Sequence, residues 1–325
     1  MGPFISLLVA YAVLRWMLSA SSVRLALDHP NERSLHTKPV PRTGGIALMA
    51  GTLAGWGLLW QSWLVPAFIS VTMLMLISLI DDVAGLAARW RFFVHLMAAA
   101  IFLLLVPSLL LPALWLILIG LAMVWMTNLY NFMDGSDGLA GGMAVFGFGS
   151  YALAAWMAGD RALILVNLSL VMAALAFLRF NFHPASIFMG DAGSIPLGFL
   201  SAALGLIGWQ RGLWPLWFPL MVFSPFVVDA SATLVSRLLR GEKVWQAHRE
   251  HYYQRLVQMG WGHSRTALAE YLLMLGVGMG SVLALQWTVR WQMAFCLGWM
   301  LAYWLTMKII NRRWAAYLQR KHAEP

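Results

Sequence analysis

The chain has 325 residues, of which 61% are hydrophobic and only 11% charged, and its mean hydropathy is +0.73. A soluble domain carries about 25% charged residues, so this composition excludes a water-soluble globular protein and points to a membrane. The net charge of +9 does not mark a nucleic-acid binder, because no soluble face gathers the bases. A single cysteine, Cys296, excludes an intrachain disulfide framework and reads as a small buried hydrophobe.

A spanning helix needs roughly 20 mostly apolar residues. Eleven segments satisfy that: 2–22, 45–61, 63–80, 92–108, 111–128, 138–158, 161–180, 195–211, 213–236, 266–287 and 290–310. The first lacks a basic leader and a small-residue cleavage site, so it reads as a span and not as a removed signal. The expected fold is all-α: one polytopic membrane domain over 1–325 with about 11 transmembrane helices.

Alternate connections fall on opposite sides of the bilayer. Of the 22 Lys and Arg residues, only Arg161, Arg211 and Arg290 fall on one side and Arg15 inside the first span. The basic side is cytoplasmic by the positive-inside rule, which puts the N-terminus in the periplasm, the C-terminus in the cytoplasm and the protein in the bacterial inner membrane. Of the 13 Asp and Glu residues, all but Asp160, Asp229 and Glu270 lie on cytoplasmic segments. A transporter would place its charges at the bilayer midplane, so this pattern predicts chemistry at the inner interface, built from loops at about 23–44, 81–91, 129–137, 181–194 and 237–265.

In chain order, the first of these loops runs from Asp28 to Gly44-Gly45 and offers Arg33, His36 or Arg42 to a phosphate. Asp81-Asp82 closes the third span. Adjacent carboxylates do not share a helical face, and a pair at the interface suggests a bound cation or a positioned nucleophile. His95, in the fourth span, reads as a satisfied buried histidine. Asn128, Asn131 and Asp134 are spaced three apart and share a face if helical, and Asp134-Gly and Asp137-Gly are turn signals. An oxygen-rich, histidine-free set of this kind suits magnesium and ribose or base recognition.

Farther on, Gly190 and Gly193 flank Asp191, so backbone can approach a ligand closely there, and Phe188 is either a stacking face or an interfacial anchor. In the longest loop His248, Arg249 and His251 can grip a diphosphate through charge-assisted hydrogen bonds. Asp229 faces either the site or a structural partner.

The ordered set Asp81-Asp82, Asn128-x-x-Asn131-x-x-Asp134-Gly-x-Asp137-Gly-Leu, Phe188-Met-Gly-Asp191-x-Gly-Ser194 and a late histidine-containing loop resembles the polyprenyl-phosphate N-acetylhexosamine-1-phosphate transferases over nearly the whole chain. Gly85 stands where the peptidoglycan translocase pattern has a lysine, and that pattern's lysine-containing Thr-Pro-Thr-Met-Gly-Gly stretch appears here as Val40-Pro41-Arg42-Thr43-Gly44-Gly45. Tyr253 and Gln254 replace two histidines of the His-x-His-His loop of the GlcNAc-1-phosphate transferases. The segment His248-Arg249-x-His251-Tyr-Tyr-Gln-Arg255 is similar to the O-antigen-initiating branch typified by the pseudomonad transferase. The resemblance implies transfer of a sugar 1-phosphate from a UDP-N-acetylhexosamine to undecaprenyl phosphate with release of UMP, in a membrane homodimer.

It also implies Mg²⁺ as cofactor, with Mn²⁺ as a substitute, held by Asp191 and Asn131. The resemblance assigns Asn128, Asp134, Asp137, Asn181 and Phe188 to the nucleotide, and His248, Arg249 and His251 to phosphate, where the first loop also offers Arg33 and Arg42. Asp81 and Asp82 are the catalytic pair, as base or as positioning groups, although a phosphate monoester with its second pKa near 6 hardly needs a base. Rival readings are a peptidoglycan or common-antigen type transferase, a lipid-linked substrate transporter and an intramembrane protease. The protease would need its second acid within the bilayer.

Overall fold

In lipid every backbone N–H and C=O must find its partner within its own segment, and the apolar runs of this chain fold accordingly as helices. The computed structural model describes residues 1–19, 27–28, 39–106, 111–243, 246 and 248–323. The helices are α1 (Gly2–Ser19), α2 (Gly44–Leu59), α3 (Val65–Ala84), α4 (Ala88–Leu105), α5 (Ala113–Phe132), α6 (Leu139–Met157), α7 (Arg161–Asn181), α8 (Asp191–Gln210), α9 (Trp217–Val222), α10 (Ser224–Leu239), α11 (Tyr252–Leu256), α12 (Gly262–Ala284) and α13 (Val289–Ala323). Among the described residues nine helices are long and apolar enough to cross a membrane.

The second expected span is the 16-residue α2. The expected ninth span is broken into α9 and α10, because Pro225 in the first turn of α10 has no N–H to continue the ladder. The α12 helix is entered through a π-helical turn, Val257–Trp261, that contains Gly260 at φ 97°. Two short strands, β1 (Leu27–Asp28) and β2 (Val40–Pro41), pair antiparallel with Leu27 opposite Pro41.

The most enclosed helix is α8, buried along nearly its whole length and packed against α2, α3, α5 and α6. The α1, α2, α6 and α7 helices form one flank. Without a hydrophobic drive between helices in lipid, small residues set how closely backbones approach. Gly45 of α2 lies directly on Gly193 of α8, where a Cβ would stand 2.3 Å from the Gly193 nitrogen.

Four helical N–H groups have no partner within an α-helix at its start. At α2 two of them find carbonyls outside it: Gly44 N–H donates to Phe188 (2.9 Å) and Gly45 N–H to Met189 (2.8 Å), while Phe188 N–H donates back to Pro41 (2.7 Å). The first loop and the turn before α8 are thereby locked together.

At the opposite end of the bundle Arg211 pairs with Asp160 at 2.6 Å and lies over the Trp63 ring at 4.0 Å. Those three residues belong to connections that the charge pattern places on one common side. Cys296 is partly exposed and not buried as expected, because α13 runs along the outside of the bundle.

Replacing Gly45 forces backbone against backbone, and overpacking of that kind costs about 1–3 kcal/mol. Gly45→Ala is expected to lower the melting temperature of the purified protein by several degrees. Gly57→Ala, on the same helix with open space around it, gains helix propensity and leaves melting unchanged or slightly higher.

Candidate active site

The acidic residues meet where α3 and α5 end and α4 and α8 begin. Asp81, in the last turn of α3, accepts from Arg91 Nη1 at 2.9 Å through Oδ2 and from the Leu86 N–H at 2.7 Å through Oδ1. The same Arg91 Nη1 stands 3.6 Å from Asp191 Oδ2. Asp191 opens α8 directly after Gly190, whose φ of 69° makes the sharp entry, and a helix N-terminus favours a carboxylate. The Asn131 amide and the Arg42 guanidinium also face Asp191.

Asp134 follows α5 and turns toward Asp191. Burial, and then the neighbouring Asp191 charge, push its carboxyl well above the usual carboxylate range, against a bond from the Gly190 N–H. Two carboxylates and an amide therefore converge on one point, with Arg91 and Arg42 beside it.

Other polar residues of the motif act as braces. Asp137 Oδ2 pairs with His183 Nδ1 at 2.6 Å and accepts from the Ala185 N–H, and its other oxygen lies 4.0 Å from His263. The rings of His183 and His263 stack at 5.2 Å. Buried Asn181 accepts from the Gly138 N–H (2.9 Å) and donates to the Ile187 carbonyl (3.0 Å). These bonds tie the 134–138 turn to the 182–187 loop.

Asn128 lies one turn deeper in α5 and donates to the Val124 carbonyl at 2.7 Å. His95 is buried beside it, facing the Asn128 amide and Arg91; neither ring nitrogen makes a hydrogen bond of good geometry among the described residues, so it is not the satisfied histidine expected.

The late loop is anchored by Asp229 of α10. That carboxylate accepts from the N–H groups of Tyr252 (2.9 Å) and Tyr253 (3.0 Å), from Thr233 Oγ1 (3.2 Å), and pairs with His251 Nδ1 (3.2 Å). It caps α11 and orients the His251 ring, which also stacks on Tyr253. Tyr253 is fully buried, and its hydroxyl donates to the Phe132 carbonyl at the end of α5. Gln254 closes the cap by accepting from the His251 N–H.

His248 is half-buried. Burial, the adjacent His251 and Arg237 bring its pKa down to about 4. Arg249 is exposed.

The structure thus brings Arg42, Asp81, Asn131, Asp134 and Asp191 together and ties the His251 loop to them through Tyr253. Phe188 takes its place through the backbone ladder with Pro41 and Gly44. Arg33 and His36 lie outside the described residues, as does the Asp82 side chain. Sequence reasoning missed Arg91 as a site residue: its signal was a basic residue ten positions after Asp81, hidden among interfacial arginines.

A sequence profile described as glycosyl transferase family 4 matches residues 64–208, the stretch from α3 through α8 that carries the acidic cluster. The probable undecaprenyl-phosphate N-acetylglucosaminyl 1-phosphate transferase of Bacillus subtilis is 28% identical over 288 residues, 83% of this chain and 80% of that protein. The decaprenyl-phosphate N-acetylglucosaminephosphotransferase of Mycolicibacterium smegmatis is 30% identical over 312 residues, 82% of this chain and 77% of that protein. The chain belongs to glycosyl transferase family 4. Similarity extends to the phospho-N-acetylmuramoyl-pentapeptide-transferase of Shouchella clausii, 33% identical over 163 residues, 49% of this chain and 48% of that protein.

The resemblance to this glycosyl transferase family implies a divalent cation, and the residues present can be tested against one. Among the described residues no three His, Cys, Asp or Glu side chains gather closely enough to hold a metal alone. Magnesium, however, is usually bound through one or two carboxylates plus substrate phosphates and water. Asp191 and Asp134, with the Asn131 amide beside them, form such a partial, all-oxygen set, and their mutual repulsion is what a cation relieves. The donor set fits.

The raised Asp134 carboxyl has a consequence for stability. An unfolded Asp releases its proton near pH 3.9, and the folded protein holds it to higher pH. The native state therefore binds more protons in that window and loses stability as pH rises through it. Asp134→Asn is expected to raise the melting temperature in chelator at about pH 8, with no gain at about pH 4. A lower melting temperature at the higher pH would contradict this assignment.

Proposed function

We propose that the protein transfers an N-acetylhexosamine 1-phosphate from a UDP-sugar to undecaprenyl phosphate, releasing UMP, at the cytoplasmic face of the bacterial inner membrane. The observation that carries this reading is the convergence of Asp81, Arg91, Asp191, Asn131 and Asp134 at one end of an apolar bundle, in a chain whose relatives are named for this transfer. The positive-inside rule supports a cytoplasmic placement of that end, where a soluble UDP-sugar meets a lipid phosphate at headgroup level.

The reaction forms a bond from a lipid phosphate oxygen to the β-phosphorus of the UDP-sugar and breaks the bond to the α-phosphate, which leaves as UMP. Such transfers depend mainly on positioning and charge neutralisation. Arg91, bridging Asp81 and Asp191, is set to hold one phosphate while the carboxylates fix its guanidinium. Asp81, with both oxygens already bonded, acts as an orienting group and not as a base. Arg42, near Asp191, and the His248–His251 loop, tied to the end of α5 through Tyr253, are suited to the diphosphate.

Asp137 and Asn181 brace the two loops between which the nucleoside would sit, with Phe188 at the edge. Asp191, Asp134 and Asn131 would hold Mg²⁺, or Mn²⁺ in its place; when bound, the ion neutralises charge on the diphosphate. Similarity of the His248–Arg255 segment to the O-antigen-initiating branch supports that pathway, and the relatives named for N-acetylglucosamine support that sugar. A homodimer is the assembly that the family resemblance suggests.

The test is UMP release by purified protein with undecaprenyl phosphate and Mg²⁺, across a panel from UDP-GlcNAc to UDP-N-acetylmuramoyl-pentapeptide. Lipid-dependent UMP from a UDP-N-acetylhexosamine is expected, abolished by chelator and reduced at least about a thousandfold in Asp191→Ala, as for loss of a principal electrostatic group. UMP from the pentapeptide donor alone would move the protein to peptidoglycan synthesis. None from any donor would sink the transferase reading.

A further inference from the structure

At 35 residues, α13 is about 52 Å long, well beyond the roughly 30 Å hydrocarbon core of a bilayer. Its last turns do not simply project. Ile310 packs with Tyr252 and Leu256 of α11 in a small buried cluster separate from the main core. Beside it Asn311 Oδ1 accepts from Arg255 Nη1 at 2.7 Å, and Asn311 Nδ2 donates to the Tyr252 hydroxyl at 3.3 Å.

Arg255 is only 6% exposed, and a buried guanidinium must have its donors answered. Its Nε donates to the Glu250 carbonyl at 2.7 Å and its Nη2 stands 3.8 Å from the Glu250 carboxylate. The ring of Tyr252 lies under it at 5.0 Å and that of Trp314 at 5.9 Å. A continuous chain of contacts thus runs from α13 through Asn311 and Arg255 to the backbone of Glu250, which lies between Arg249 and His251.

From this geometry we infer that Asn311 is a positioning residue, and that the extended end of α13 is a strut that sets the His248–His251 loop against the acidic cluster. Asp229 fixes the C-terminal side of that loop, and the Asn311–Arg255 pair fixes its middle. Without the Asn311 acceptor the buried guanidinium swings away from α13 and the Glu250 carbonyl loses its donor. The inference rests on the proposed role of this loop at the diphosphate of the UDP-sugar.

The experiment uses the full-length protein with Asn311→Ala and Asn311→Asp, the latter keeping an oxygen acceptor for Arg255. Two quantities are read: backbone deuterium exchange over 248–256, and KM for UDP-GlcNAc and for undecaprenyl phosphate separately. Asn311→Ala is expected to speed exchange across that loop and raise the UDP-GlcNAc KM about tenfold, as for one charge-assisted hydrogen bond. KM for the lipid and exchange in α8 should not change, and Asn311→Asp should restore both quantities.

Unchanged exchange and KM in Asn311→Ala overturn the inference, as does faster exchange spread evenly over α12 and α13. His251→Ala separates this from the functional reading. If that variant leaves the UDP-GlcNAc KM unchanged while Asn311→Ala still loosens 248–256, the strut stands and the diphosphate role falls. If it raises that KM and Asn311→Ala moves neither quantity, the strut falls.

Discussion

One guanidinium between two carboxylates organises the charged end of this bundle. Asp81, Asp134 and Asp191 approach one another where little water screens them, and ionised carboxylates resist such company unless cations or hydrogen bonds answer them. Arg91 reaches Asp81 at 2.9 Å and Asp191 at 3.6 Å, while Arg42 adds a second positive charge near Asp191. Burial drives the Asp191 carboxyl upward in spite of these partners, and Asp134, with the least compensation, is driven well above the usual carboxylate range. Two carboxyls held above their usual range side by side favour one more cation, which is the electrostatic basis of the proposed metal site.

That arrangement depends on backbone geometry more than on side-chain packing. The α8 helix begins at Asp191 only because Gly190 turns the chain at positive φ, and α2 begins alongside because its first N–H groups find the Phe188 and Met189 carbonyls. Glycines 45 and 193 let those two helix starts touch. A ladder of three main-chain bonds thus fixes where Asp191 and Arg42 stand, and the apolar body of α8, enclosed by four other helices, keeps them there.

The late loop is attached to this frame and not built into it. Asp229 caps α11, and Tyr253 reaches the end of α5. At the two positions where the GlcNAc-1-phosphate transferase pattern has histidines, Tyr253 is a buried link and Gln254 a helix cap. The part of the loop left least enclosed is therefore His248 and Arg249, so any difference in donor choice from the histidine-rich branch would be carried there.

Hydropathy by itself determined the all-α membrane class and the order of spans, since a bilayer admits few other ways to bond a backbone. Spacing pointed to the acidic segments as the candidate working parts, because carboxylates at a membrane edge are costly. Only the tertiary structure separated ligand-facing groups from braces. Asp134 and Asp137 look alike in sequence, three residues apart and each before a glycine, yet one turns to Asp191 and the other to His183. Arg91 was invisible as a site element, and Asp229 could not be assigned to site or structure, for the same reason: a charge acquires its role from the partner it meets across the fold, and that partner can lie far away in the chain.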